Sequence, residues 1–190
     1  QDPVSGGVAS DRLPDGSKSD FMGLPIACGF GFAAIAVGDL ARARKVADFA
    51  RAIWEAHTEV DPGSGLPTRL YHYWSRAQQR LLREGDPDFV LRMVVENDVD
   101  RDQRWTTGGI TAGFLPRLYL ADPDPRHLEL ARRYQAFSMA ATDAQFKYWG
   151  VCKAGWGSSL LYLITGEPQY EAWTLRIADW FVSTQETDGS

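Results

Sequence analysis

Three acidic residues alternate in "VVENDVDRDQRW": Asp98, Asp100 and Asp102. On an extended backbone this spacing turns all three carboxylates to one side. Carboxylates crowded in this way raise one another's pKa, which keeps one of them protonated and able to act as a general acid. Protonation of an alkene or of a glycosidic oxygen is the chemistry such an acid performs. The competing reading is a solvated acidic turn neutralised by Arg101 and Arg104. A second constellation, "RLYHYWSRAQQR", holds Arg69, Tyr71, His72, Tyr73 and Trp74. There an arginine can neutralise a substrate carboxylate while Tyr71, His72 or Tyr73 abstracts the proton beside it. A short strand with a half-buried aromatic face would read the same way. A third, "QFKYWGVCKAGWG", places Tyr148, Trp149, Lys153 and Trp156 close together, and Trp105 follows the acidic run. Aromatic faces of this kind stabilise cations, at roughly 0.5–2 kcal/mol each, or stack on sugar rings. Ordinary core packing is the alternative.

Bulk composition narrows the classes. The chain of 190 residues is long enough for one sizeable core, and its 44% apolar and 24% charged residues are those of a globular protein. A net charge of −5 argues against nucleic acid or an anionic membrane surface as partner. No run approaches the ~18 apolar residues of a membrane span. The opening "QDPVSGGVASDRLPDGSKSD" lacks the basic and apolar regions of a signal peptide, so a cytoplasmic protein is the expectation. Cys28 and Cys152 define neither a disulfide framework nor a zinc site, and they read as small buried hydrophobes. The Gly-containing "DPVSGG" and "DPGSG" lack the strand, helix and Lys of a phosphate loop. Nothing calls for a metal or a cofactor. The expected partner is a small molecule or a glycan.

The elements that would position these residues repeat. "LYLADPDPRHLELARRYQAFS" from 118 and "LYLITGEPQYEAWTLRIADWF" from 161 share one grammar, with Phe137 and Trp180 at equivalent places. "FAAIAVGDLARARKVADFARAIW" is a third copy, in which Phe49 takes that place. Each copy reads as an αα-hairpin: a helix apolar on most sides, a turn with Gly or Asp, then an amphipathic helix. The predicted helices span 24–37, 39–57, 106–121, 124–141, 154–165 and 168–185. Phe49, Phe137 and Trp180 are expected to be buried. Pro116, inside a helix, predicts a kink or a later start. The intervening segments 1–23, 59–105 and 142–153 exceed the usual ~4–6 residues of a connection. They carry the candidate chemistry.

Inner apolar helices alternating with outer amphipathic ones resemble the α/α toroid, and "DWFVSTQETDGS" resembles the QW repeat of terpenoid cyclases through Gln185 and Gly189. The resemblance is to the superfamily of terpenoid cyclases and protein prenyltransferases, whose ring also hosts uronyl hydrolases and polysaccharide lyases. It implies an all-α fold, a partial ring of about three hairpins. Residues 1–190 would form a single α/α toroid domain, a fragment of a longer ring completed by its remainder or by another copy. It implies a terpenoid-cyclase-like enzyme in which Asp98, Asp100 or Asp102 supplies an acid to an isoprenoid substrate. Trp105, Tyr148, Trp149, Lys153 and Trp156 would line the central cavity. The sequence departs from the family's acid motif, Asp-x-Asp-Asp, and from its magnesium-binding Asp-Asp-x-x-Asp. A carbohydrate-active toroid enzyme using Tyr71, His72 or Tyr73 is the alternative, and a non-catalytic helical-repeat scaffold the other.

Overall fold

The computed structural model describes residues 1–11 and 13–187. Six α-helices form three hairpins: α1 (Leu24–Ala36) with α2 (Leu40–Glu55), α3 (Thr106–Ala121) with α4 (Pro125–Ala140), and α5 (Cys152–Thr165) with α6 (Pro168–Thr184). The turns are built as the sequence dictates. Asp39 caps α2, its carboxylate accepting from the Arg42 N–H at 3.0 Å. Asp124 caps α4 in the same way, from the Arg126 N–H at 2.9 Å, with Pro125 following it. Gly166, at φ 69°, closes α5 in the left-handed region that a side chain disfavours.

The three inner helices pack as one layer, with α3 between α1 and α5. Small residues set the spacing. A Cβ on Gly31 would lie 2.4 Å from the Phe114 ring, and one on Gly109 would lie 2.2 Å from the Ala154 nitrogen. The inner layer therefore tolerates no larger side chain at these two crossings. The outer helices cover one side of this layer and are tied to one another: the Tyr134 hydroxyl donates to the Ala50 carbonyl at 2.7 Å, and Trp54 meets the Tyr134 ring edge-on. The main apolar core runs from Met22 to Tyr170, and two smaller clusters lie apart from it, one of them built from Phe146, Val151, Ala154, Trp173 and Ile177.

The chain is mostly helical, as expected, with small strands added to the helices. Among the described residues, five short strands lie before α1 or between α2 and α3: β1 (Phe21–Gly23), β2 (Arg69–Tyr71), β3 (Tyr73–Ser75), β4 (Arg80–Leu81) and β5 (Val94–Glu96). They form two small antiparallel sheets, ordered β1-β3-β4 and β2-β5. "RLYHYWS" and "VVE" are aromatic and β-branched, the residues that fit a pleated surface. α3 continues through Pro116 rather than starting after it. No helix of the described residues is long and apolar enough to cross a membrane.

The third hairpin departs from the repeat in one place. Phe49 and Phe137 are buried, but Trp180 is half-exposed, and Trp173 and Ile177 fill the core instead. The reason is cover. Trp74 and Gly7 close over Phe49, whereas Trp180 packs at the edge of a smaller cluster, beside the Phe146 and Phe181 rings. Gly189 and Ser190, at the end of the QW-like phrase, lie outside the described residues.

Candidate functional site

The segment from 97 to 105 is a turn rather than a strand, so the alternation of its carboxylates does not carry into space. Two contacts fold it back on itself. The Gln103 amide bonds both backbone groups of Glu96, and the Arg101 guanidinium pairs with the Glu96 carboxylate at 2.6 Å. Arg69 reaches the same carboxylate at 3.1 Å from the neighbouring strand.

This turn is joined to the segment before α5. The Thr142 N–H donates to the Asn97 carbonyl at 2.6 Å. Lys147 pairs with Asp100, and Tyr148 stacks on Trp105 with centroids 6.4 Å apart and planes 25° from parallel. Gly150 brings the second segment against the start of α3, where a Cβ would stand 3.2 Å from Thr106 Cγ2. Hydrogen bond, ion pair and stacked rings together join the two loops.

Between them lies a cleft of about 400 Å3, lined by Arg92, Asp102, Gln103, Arg104, Thr106, Tyr148, Trp149 and Gly150. Arg92 and Arg104 take part in none of the ion pairs among the described residues. Two unneutralised guanidiniums thus share a concave surface with one carboxylate, a phenol and an indole that is 73% exposed. Such a set offers an anion two cationic partners, and the planar guanidinium matches a carboxylate two bonds at a time. The start of α3 adds the positive end of its dipole, since no side chain caps it.

The candidate residues divide. Asp102, Tyr148 and Trp149 come together in the cleft. Asp100 is held by Lys147, and Asp98 is exposed without lining it. Trp105 is buried behind Tyr148, with its indole N–H donating to the Arg101 carbonyl at 3.3 Å. Trp156 and Lys153 lie elsewhere. Trp156 stacks on Phe32 of α1 at 4.7 Å, and the Lys153 ammonium sits 5.7 Å above its ring. The single aromatic chamber expected from Trp105, Tyr148, Trp149 and Trp156 is therefore split between two surfaces.

Tyr71 at the end of β2, Tyr73 at the start of β3 and His72 between the two strands are all buried. Tyr71 packs against Phe89 and under Arg83. The His72 backbone joins three elements, its carbonyl accepting from the Leu24 N–H and its N–H donating to the Met93 carbonyl. Its ring is fully buried, and neither nitrogen has a well-aligned hydrogen-bond partner among the described residues. Burial, reinforced by the nearby Arg104 charge, pushes its pKa down to about 3 and holds the ring neutral. His57 is neutral for a related reason. Burial lowers its pKa, while Nδ1 bonds the Ile53 carbonyl and Nε2 accepts from the Tyr71 N–H. Cys28 is buried against the Thr111 hydroxyl, and burial pushes its thiol up to about 12. It is inert there. Cys152 is only half-buried.

Arg92 was not legible as a site residue. It lies twelve positions before Arg104, with β5 between them, and no spacing rule links the two. Among the described residues no three His, Cys, Asp or Glu side chains form a group that could hold a metal ion. Comparison with family models, curated protein sequences and solved structures finds no match for this chain.

Proposed function

We propose that the three hairpins are part of an α/α toroid and that the cleft at the start of α3 binds an acidic saccharide. Alternating inner and outer helices support the first statement. One observation carries the second: Arg92 and Arg104, unpaired, stand beside exposed Trp149 and Asp102. A uronate presents a carboxylate for the guanidiniums and an apolar ring face for the indole. An acid working on an isoprenoid alkene would instead need an apolar, water-free chamber. Asp102 is exposed in an open, charged cleft.

The reaction this arrangement suits is β-elimination. Neutralisation of the uronate carboxylate by Arg92 and Arg104 acidifies the neighbouring C5–H. Asp102 takes that proton, the electron pair forms the C4–C5 double bond, and the C4–O bond breaks. The Tyr148 phenol supplies a proton to the departing oxygen.

The test is incubation with polyuronides, following the ultraviolet absorbance of the unsaturated product. Asp102→Asn should lower turnover by about 10²–10⁴-fold at unchanged melting temperature. Asp179→Asn, on the exposed side of α6, should leave turnover intact. Absence of unsaturated product from every uronide, with turnover of an isoprenoid diphosphate, would replace this reading by the terpenoid-cyclase-like one.

A further inference from the structure

The cleft does not end at Trp149. The same indole lines a second depression, of about 550 Å3, with Lys147 and the last turn of α6, where Trp180, Phe181, Val182 and Thr184 form the wall. The Trp180 and Phe181 rings meet edge to face at 4.9 Å. Val182 beside them is exposed. Lys147, the charged group of this wall, is already paired with Asp100. One side of Trp149 is thus cationic and the other is aromatic with a hydroxyl at its edge.

We infer that the α6 groove is a second subsite, taking the next sugar rings of the acidic chain whose carboxylate Arg92 and Arg104 hold. This rests on the saccharide reading above. Continuity through one shared side chain argues for a single extended ligand rather than two. A pyranose chain carries both chemistries the surface offers: carboxylates along its edge for the arginines, and C–H ring faces for the indoles. Trp149 would stand between two successive rings. The Trp180 and Phe181 rings give this subsite its platform.

The experiment is a tryptophan-fluorescence titration of the full chain with a uronate disaccharide and a uronate hexasaccharide. The hexasaccharide should bind about tenfold more tightly. Phe181→Ala and Val182→Glu should each abolish that gain and leave disaccharide affinity unchanged. The second variant removes no buried side chain and repels a polyanion. Equal affinity for the two lengths, or variants that keep the gain, overturn the second subsite and leave the saccharide reading standing. No binding of either length overturns both. So does tighter binding of geranylgeranyl diphosphate that Phe181→Ala abolishes, which would give the groove to an isoprenoid chain.

Discussion

The Gln103 side chain hydrogen-bonds both backbone groups of Glu96: its Oε1 accepts from the N–H at 2.9 Å, and its Nε2 donates to the carbonyl at 2.8 Å. Nε2 also donates to the Val99 carbonyl at 3.1 Å. Glu96 pairs with Arg69 of β2 on one side, and this buried amide takes the place of a strand on the free edge of β5 and closes the turn that carries Asp98, Asp100 and Asp102. The cleft wall depends on it.

Gln103→Leu keeps the side chain's bulk and leaves the Glu96 peptide unpaired. Unsatisfied buried groups cost about 1–3 kcal/mol, so denaturant unfolding should show a loss in that range, accompanied by weaker ligand binding in the cleft. A loss below about 0.5 kcal/mol, typical of an unimportant surface site, would mean that the turn holds its shape without the clamp.

His72 should make stability depend on pH with a definite sign. Its folded pKa, about 3, lies below the ~6.5 of an unfolded histidine. Between these values the unfolded chain takes up a proton that the folded chain does not. Stability is unaffected above pH ~6.5 and falls by about 1.4 kcal/mol per unit as the pH drops through the window. Carboxylates held low, such as Asp86 at about 2 beside Arg80, contribute only at the acid end. His72→Leu should be neutral or stabilising at pH 7, because neither ring nitrogen has a well-aligned partner among the described residues, and should flatten the slope between pH 6 and 4 by the contribution of one histidine. An unchanged slope would show that the ring is protonated in the fold.

The sequence made the helical frame legible because hairpin grammar is local. Capping Asp residues, turn glycines and 3.6-residue periodicity fixed all six helices to within two residues of their observed ends. Trp180 was misplaced because burial depends on what lies over a helix, and that cover comes from segments distant in sequence. The site was legible in part. Of the residues that line the cleft, Asp102, Tyr148 and Trp149 were singled out from residue type and position beside inner helices, whereas Arg92 reaches it only through the path of β5. Tyr71, His72 and Tyr73 were proposed for chemistry because a buried aromatic strand and a catalytic one use the same residues.

The third hairpin provides a paired comparison. Trp173→Ala removes a buried indole and should cost about 3–5 kcal/mol in equilibrium unfolding. Trp180→Ala removes a half-exposed one and should cost less than half as much. The reverse order would place Trp180, not Trp173, in the core.

Gly109→Ala tests the spacing of the inner layer. The added methyl would meet the α5 backbone at Lys153 and Ala154, which cannot turn aside as a side chain can. Overpacking of this kind costs about 1–3 kcal/mol or more, and the melting temperature should fall. Gly29→Ala is the control, because a Cβ there meets nothing within 4 Å. It should leave stability equal or slightly raised, as alanine favours helix.

The central claim is that two unpaired guanidiniums make the cleft an acidic-saccharide site. Calorimetric titration with a uronate disaccharide tests it most directly, using wild type, Arg92→Gln, Arg104→Gln and Arg117→Gln, the last an exposed arginine outside the cleft. A hydrogen bond to a charged group is worth about 1.5–3 kcal/mol, so loss of either cleft arginine should weaken binding by roughly 10–150-fold while Arg117→Gln leaves it unchanged. Equal affinity in all four proteins, or no binding by wild type, would contradict the account.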